Sequence, residues 1–364
     1  MSIKKYIVFF LWMMLMSSSI FYACKKDTFN EIPPKTTPYT LPSIRNFRPM
    51  PVEADNPMTV EGVALGKKLF FDPILSRDSS LACAGCHIQA NSFSDSRIKS
   101  IGIDGLPGKR QSMALINLAW QKNRFFWDGR AEGLKAQALF PIQDTLEMHF
   151  TLSEAEQRLQ QHPEYVTMFW NAFGTKKIKA ALIGRALEQF EKTLISFNSK
   201  FDKFIREELD LSPSEYRGME IFKTEKGDCF HCHSTTASEV FISPDRTFAN
   251  NGLDAVTSVY DFADFGLGEF TKNINDYGRF KIPTLRNLAF SAPYMHDGRF
   301  ATLDEVIDFY NTGPKSSPTL EPIMIEEASK RMELFGYHGL NLTSQEKEDL
   351  KAFLLTLSDS TFVQ

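Results

Sequence analysis

Alternating apolar and polar residues, the mark of a half-buried strand, are nearly missing from this chain. No such run is long enough for a major sheet, so a mainly β fold is not expected. Cysteine is scarce, with five in 364 residues, so a disulfide-built scaffold is excluded. An excess of one charge is also lacking. The 41 Lys and Arg against 45 Asp and Glu leave a formal charge of −4, which argues against nucleic acid as a partner. Past the first two dozen residues, no stretch is long and apolar enough to span a bilayer.

Hydrophobic residues make up 43% of the chain and charged residues 24%, the composition of a folded globular protein. The 32 Phe suit walls around large flat apolar cofactors, although ordinary cores also use Phe. Lys4 and Lys5 precede an apolar run from Tyr6 to Met16, and small and apolar residues continue to Ala23-Cys24. This is the pattern of a signal peptide over 1–23, with Cys24 as a lipidated first mature residue. Phe21 stands where Leu is usual, and the alternative is an uncleaved anchor. Residues 24–52 hold many Pro and Thr and are expected to be a lipidated tether.

Helical spacing begins around Val63–Phe70. Ser153 with Glu156 suggests a capping box and a helix through Leu159. A long amphipathic helix is expected over Ile178–Ile195, another from Ser212-Pro213 to Phe222, and a last one from Thr343 carrying Leu350, Phe353 and Leu354. The chain should be mainly α with long loops.

Two segments repeat. Leu115-Ile116-Asn117-Leu118-Ala119-Trp120 is followed by Trp127-Asp128-Gly129-Arg130 and Leu134. Leu285-Arg286-Asn287-Leu288-Ala289-Phe290 is followed by His296-Asp297-Gly298-Arg299 and Leu303. Each copy follows one C-x-x-C-H motif: Cys83-Ala84-Gly85-Cys86-His87 or Cys229-Phe230-His231-Cys232-His233. In such a motif the two thiols add to the vinyl groups of one haem, and the histidine binds the iron. A zinc site or redox dithiol is the alternative, but no further zinc ligands group nearby. The expected architecture is therefore two cytochrome c-like haem domains related by an internal repeat, 53–205 and 206–364, with two covalent haem c groups. His231 is expected at the surface or against a haem edge.

The repeat also addresses the sixth iron position. Seven residues beyond Leu303 stands Tyr310, whose oxygen can bind iron. Seven beyond Leu134 stands Pro141, which has no ligand to offer. Tyr310 reads equally as a ligand or as a buried helix tyrosine. Gln137 and Glu147 flank Pro141 and are candidate groups for moving a proton on an open haem. Taken alone, both also read as ordinary solvated side chains.

The chain resembles the bacterial dihaem cytochrome c peroxidase and MauG family from about Glu61 to Leu357. The resemblance rests on Leu65-Gly66-Lys67-Lys68-Leu69-Phe70-Phe71-Asp72, both haem motifs, Phe126–Arg130, Pro141–Met148, Pro283–Asn287 and Pro293–Gly298. It implies an N-terminal peroxidatic haem and a C-terminal electron-transfer haem. It also implies Glu147 as distal acid–base group, Gln137 as distal glutamine and Trp127 as relay between the haems. The loop Gly102-Ile103-Asp104-Gly105 has Ile where many relatives carry a capping His, so that lock should be missing. Tyr310 matches the tyrosine of MauG and not the methionine of typical peroxidases. The resemblance further implies a calcium site at Gln111 and the carbonyls of Ser291 and Pro293. Arg130, Arg286 and Arg299 are candidates for haem propionates, with surface ion pairs as the alternative. The implied activity is reduction of hydrogen peroxide with electrons from a small periplasmic cytochrome c or copper protein, on a lipid-anchored periplasmic protein. MauG-like oxidation of protein side chains through a high-valent dihaem state, or plain electron carriage by two six-coordinate haems, are the alternatives.

Overall fold

The computed structural model describes residues 32, 34–45, 47, 49–51, 53–121, 124–233 and 247–364. Cys24 and the expected signal peptide lie outside these residues. Residues 35–364 form one compact unit. Its helices are α1 (Val60–Phe71), α2 (Leu134–Gln137), α3 (Phe140–Gln143), α4 (Leu152–Gln160), α5 (Pro163–Phe173), α6 (Ala180–Glu191), α7 (Lys200–Ile205), α8 (Pro213–Lys223), α9 (Leu267–Thr271), α10 (Leu303–Thr312), α11 (Pro322–Phe335) and α12 (Ser344–Leu355). The strands described are two antiparallel two-residue pairs, Arg124–Phe125 with Ala131–Glu132 and Phe248–Ala249 with Phe280–Lys281. The fold is mainly α, as the missing alternation requires. No helix among the described residues is long and apolar enough to cross a membrane.

Two helix pairs organise the core. In the first, α1 packs on α6, and a Cβ on Gly66 would sit 1.9 Å from the Ala186 carbonyl oxygen. In the second, α8 packs on α12, and a Cβ on Gly218 would sit 1.9 Å from the Asp349 carbonyl oxygen. Both crossings need glycine because the backbones touch. Around the first pair lies an apolar cluster with Leu65, Leu69, Phe70, Phe169, Leu187 and Phe190. Around the second lies another with Phe201, Met219, Phe222, Leu350 and Phe353.

The caps explain where the helices begin. Ser212 and Thr343 each accept from the backbone N–H three residues on, within full capping boxes. At α4 the structure corrects the sequence reading: the box is Thr151 with Glu154, not Ser153 with Glu156. Glu156 instead accepts from Lys179 Nζ at 2.7 Å and from the Ala180 N–H at 2.8 Å. Helix α6 is also shorter than the expected Ile178–Ile195, because Leu194 turns its carbonyl to the Asn117 N–H at 2.9 Å. The Pro- and Thr-rich stretch is not free where it is described. Ile44, Phe47 and Met50 pack against Ala119 and Trp120, and the Phe47 ring meets Trp120 edge-on at 5.7 Å.

Candidate functional site

One cavity of about 700 Å³ is lined by both C-x-x-C-H segments. Each segment folds as a single 3₁₀ turn, Cys83–Gly85 and Cys229–His231. The turn brings the His87 N–H to the Cys83 carbonyl at 2.9 Å and the His233 N–H to the Cys229 carbonyl at 3.0 Å. In each motif, therefore, two thiols and one imidazole share a wall. No disulfide joins Cys83, Cys86, Cys229 and Cys232 among the described residues. Burial pushes the Cys83 and Cys229 thiols up to about 12, the opposite of the lowered value of a redox dithiol. His87 Nδ1 lies 2.8 Å from the Phe93 carbonyl. That contact places the proton on Nδ1 and leaves the Nε2 lone pair available to a metal. Burial holds His233 down to about 4, a neutral imidazole. Two separate sets of two thiols and one neutral histidine fit two c-type haems. They do not fit zinc. The metal-type cluster found among the described residues is Glu225, Asp228 and His231, with no cysteine.

The first half of the cavity carries the carboxyl and the amide. Glu147 sits in the turn after α3, where its N–H donates to Asp144 O at 3.0 Å and its carbonyl accepts from Ile103 N–H at 2.9 Å. A side chain at Gly102 would strike the Leu146 carbonyl, 2.1 Å from a Cβ. The Gly102–Gly105 loop is thereby clamped against Glu147, and Asp104 ties it further to Arg77 and, at 2.6 Å, to His149. Burial pushes the Glu147 carboxyl up to about 7. Asp144 raises it further, and Arg130 works against both. Gln137, the last residue of α2, is buried, and its Oε1 has no hydrogen-bond partner among the described residues. Gln137, Pro141 and Glu147 line the same cavity. Arg130 stacks on the Phe126 ring at 3.7 Å and pairs with Asp128 at 3.1 Å.

The second half differs. Tyr310 on α10 lines the cavity, and burial pushes its phenol up to about 12. Asn251 Nδ2 donates to the Tyr310 oxygen at 3.1 Å and lies 3.8 Å from Met295 Sδ. Trp127 lines the same cavity and donates its indole N–H to the Gln111 carbonyl at 2.9 Å.

Gln111, Ser291 and Pro293 also line this cavity. The Gln111 side-chain amide donates to the Asp95 carbonyl at 3.2 Å. Arg286 reaches the cavity but is held by Asp202, at 2.6 and 2.9 Å. Arg299 stands apart. It is not among the lining residues, and it pairs with Asp297 at 2.6 Å and Asp254 at 3.0 Å. His231 is half-buried and contacts Asp228 at 3.1 Å and Glu225 at 3.2 Å.

Three cavity residues escaped sequence reasoning. Arg110 is buried between Asp128 (2.6 Å), Asp264 (2.8 Å) and Glu269 (3.4 Å). Lys281 is buried, donates to the Arg124 carbonyl at 2.8 Å and is pushed down to about 8 by burial. Glu191, at the end of α6, is buried and pushed up to about 8 by burial and by Glu188. Nothing in their local sequence marks them, since an isolated charge reads as solvated until its neighbours are known.

Residues 60–210 match the family model described as di-haem cytochrome c peroxidase. The methylamine utilization protein MauG of Methylorubrum extorquens is 37% identical over 306 residues, 83% of this chain and 79% of that protein. A cytochrome-c peroxidase of Pseudomonas sp. (strain SCT) is 32% identical over 342 residues, covering 88% and 86%. The crystal structure of a MauG-like protein associated with microbial copper homeostasis superposes with a TM-score of 0.76. It shares 32% identity and covers 90% of this chain and 97% of the other. The chain belongs to the di-haem cytochrome c peroxidase and MauG family, and it is an oxidoreductase.

Proposed function

We propose that this member of the family reduces hydrogen peroxide to water at an open haem in the half carrying Cys83, Cys86 and His87. Cys229, Cys232 and His233 would hold a second haem, which would supply electron transfer from a small periplasmic redox protein, a cytochrome c or a copper protein. The observation that carries the reading is the difference between the two halves of one cavity. Pro141 lines the first half and has no ligand atom to offer, while Tyr310 lines the second and presents a phenol oxygen. The haem iron, when bound, supplies the centre at which the O–O bond breaks and from which both electrons reach oxygen. Reduction of one peroxide consumes two electrons and two protons and yields two waters.

The protein's own groups do the rest. The ionised Glu147 carboxylate takes the proton from the nearer peroxide oxygen and returns it to the departing one. The Gln137 amide, with its unpartnered Oε1, orients the peroxide. Trp127, fixed by its bond to Gln111, serves as relay between the halves. Support for two related haem domains comes from matched local structure. Asn117 and Asn287 are both left-handed, at φ 54° and 62°, and so are Gly129 and Gly298, at 70° and 69°. Arg130 belongs with a propionate, and calcium with Gln111 and the Ser291 and Pro293 carbonyls. Arg286 and Arg299 are better accounted for by their carboxylate partners. Cys24 anchors the protein to a membrane through lipid.

Tyr310 favours a second reading, in which both oxidising equivalents are held by the protein and passed to side chains of another protein, as in MauG-like chemistry. A Tyr310 phenolate on the second iron would favour ferric over ferrous and would make that haem a poor store of reducing equivalents. Electron paramagnetic resonance of the ferric protein tests the shared premise. One high-spin and one low-spin haem are expected, and two low-spin haems would remove the open site.

A further inference from the structure

The mechanism above leaves a proton balance to be met. Glu147 moves a proton from one peroxide oxygen to the other and so delivers none. The two protons consumed per peroxide must come from solvent. A second buried carboxyl lines the same cavity. Glu191 is 4% exposed, and its Oε2 makes no hydrogen bond among the described residues. An unsatisfied buried polar group costs roughly 1–3 kcal/mol, so Leu or Met would be the more stable occupant if packing were the whole purpose. Glu191, Glu147 and Cys83 all line the same cavity. Helix α6, which carries Glu191, packs directly on α2, which carries Gln137. A Cβ on Gly184 would lie 2.5 Å from the Lys135 carbonyl.

Behind Glu191 a file of ionisable groups leads outward. Glu188 lies one turn back on the same face of α6 and is fully buried. Its Oε2 accepts from Asn56 Nδ2 at 2.5 Å, and Asn56 is itself held by Gln189 at 2.8 Å. Lys192 is 5% exposed, with Nζ 3.2 Å from Glu188 Oε1 and 3.8 Å from Glu53 Oε1. Glu53 is half in solvent and also meets Lys135 at 2.7 Å. The ionisable groups that bear on Glu191 are Glu188 from its own helix and the sulfur of Cys83, which lines the same cavity.

We propose that Glu53, Lys192, Glu188 and Glu191 form a proton route from the surface to the haem cavity, with Glu191 as the inner, reloadable donor. Glu191 receives a proton through Lys192 and Glu188, gives it toward the reduced oxygen in the cavity, and is reprotonated. One traverse supplies one proton and two complete a turnover. The route rests on the peroxidase reading.

The test uses the dihaem protein with Glu191→Gln, which keeps shape and removes the exchangeable proton, and Lys192→Met, which interrupts the file. Infrared difference spectra in water and deuterium oxide should show a protonated carboxyl band that Glu191→Gln removes and whose deuterium exchange Lys192→Met slows. Steady-state peroxide turnover should fall on the order of 10²-fold in Glu191→Gln, the low end for positioned proton transfer, with a larger solvent isotope effect. The first absorbance change after mixing with peroxide should keep its wild-type rate. A Glu191→Gln protein with unchanged turnover overturns the route, and so does one in which the first step slows as much as turnover, which would mark Glu191 as a packing residue. A missing carboxyl band overturns it independently. If the wild type itself consumes no peroxide, the parent reading fails and the route with it.

Discussion

Replacing Glu147 by Gln separates what the carboxyl does for catalysis from what it costs the fold. The substitution preserves volume and leaves both haem motifs untouched. On the proposed mechanism it removes the base that takes the peroxide proton, so peroxide cleavage should slow by about 10² to 10⁴-fold. Stability should move the other way. Glu147 titrates at about 7 in the folded chain against 4.5 for a free carboxyl. Between those values the folded state holds a proton that the unfolded state has released, so stability falls as pH rises from about 4.5 to 7. At about 1.4 kcal/mol per pH unit of displacement, the cost at pH 8 is on the order of 3 kcal/mol. Glu147→Gln avoids it. The variant should unfold at higher denaturant than wild type at pH 8, with the difference closing toward pH 4.5. Stopped-flow mixing with peroxide and denaturation at both pH values check this. The wild-type cleavage rate should also rise with pH through about 7, as the base form appears. An unchanged cleavage rate in the variant refutes the assignment, and a stability difference independent of pH refutes the burial argument.

Other perturbations follow from the same geometry. The ferric wild type should react with peroxide without prior reduction. Ile103→His should restore a capping ligand and impose a lag that reduction removes, as optical spectra and stopped flow would show. Tyr310→Met should raise the potential of the second haem in a redox titration, because a thioether favours ferrous iron where a phenolate favours ferric; an unmoved potential makes Tyr310 a packed helix residue. Arg110→Leu should destabilise the fold by about 3 kcal/mol, because it leaves the Asp264 carboxylate without its buried cation and Asp128 with Arg130 alone. Urea titration would show this as a lowered midpoint, and an unchanged midpoint would contradict it.

Much of the site was legible because it is local. A C-x-x-C-H segment dictates its own turn, and both copies fold the same way. Gln137, Pro141 and Glu147 lie within eleven positions, so two consecutive short helices and the turn after them deliver all three to the cavity wall. What was not legible depends on distant partners. Thr151 and Ser153 each stand three residues before a Glu, and local chemistry allows either box. The choice falls on Thr151 because Glu156 is drawn away by Lys179 and Ala180, which follow a whole further helix. Arg286 and Arg299 stood as equal candidates for haem propionates. Only the fold shows Asp202 waiting for the first and Asp254 and Asp297 for the second. Arg110 and Glu191 have no local mark, since burial of a charge is a property of the packed neighbours.

The central claim is that one haem is open and the other supplies it with electrons for peroxide reduction. Its most direct test is steady-state consumption of hydrogen peroxide by the dihaem protein with a reduced small cytochrome c as donor. The account predicts two cytochromes oxidised per peroxide, turnover that collapses in Glu147→Gln, and no release of partly reduced oxygen. A protein that exchanges electrons with the cytochrome but leaves peroxide untouched, with both irons low-spin, would be an electron carrier and would contradict the account.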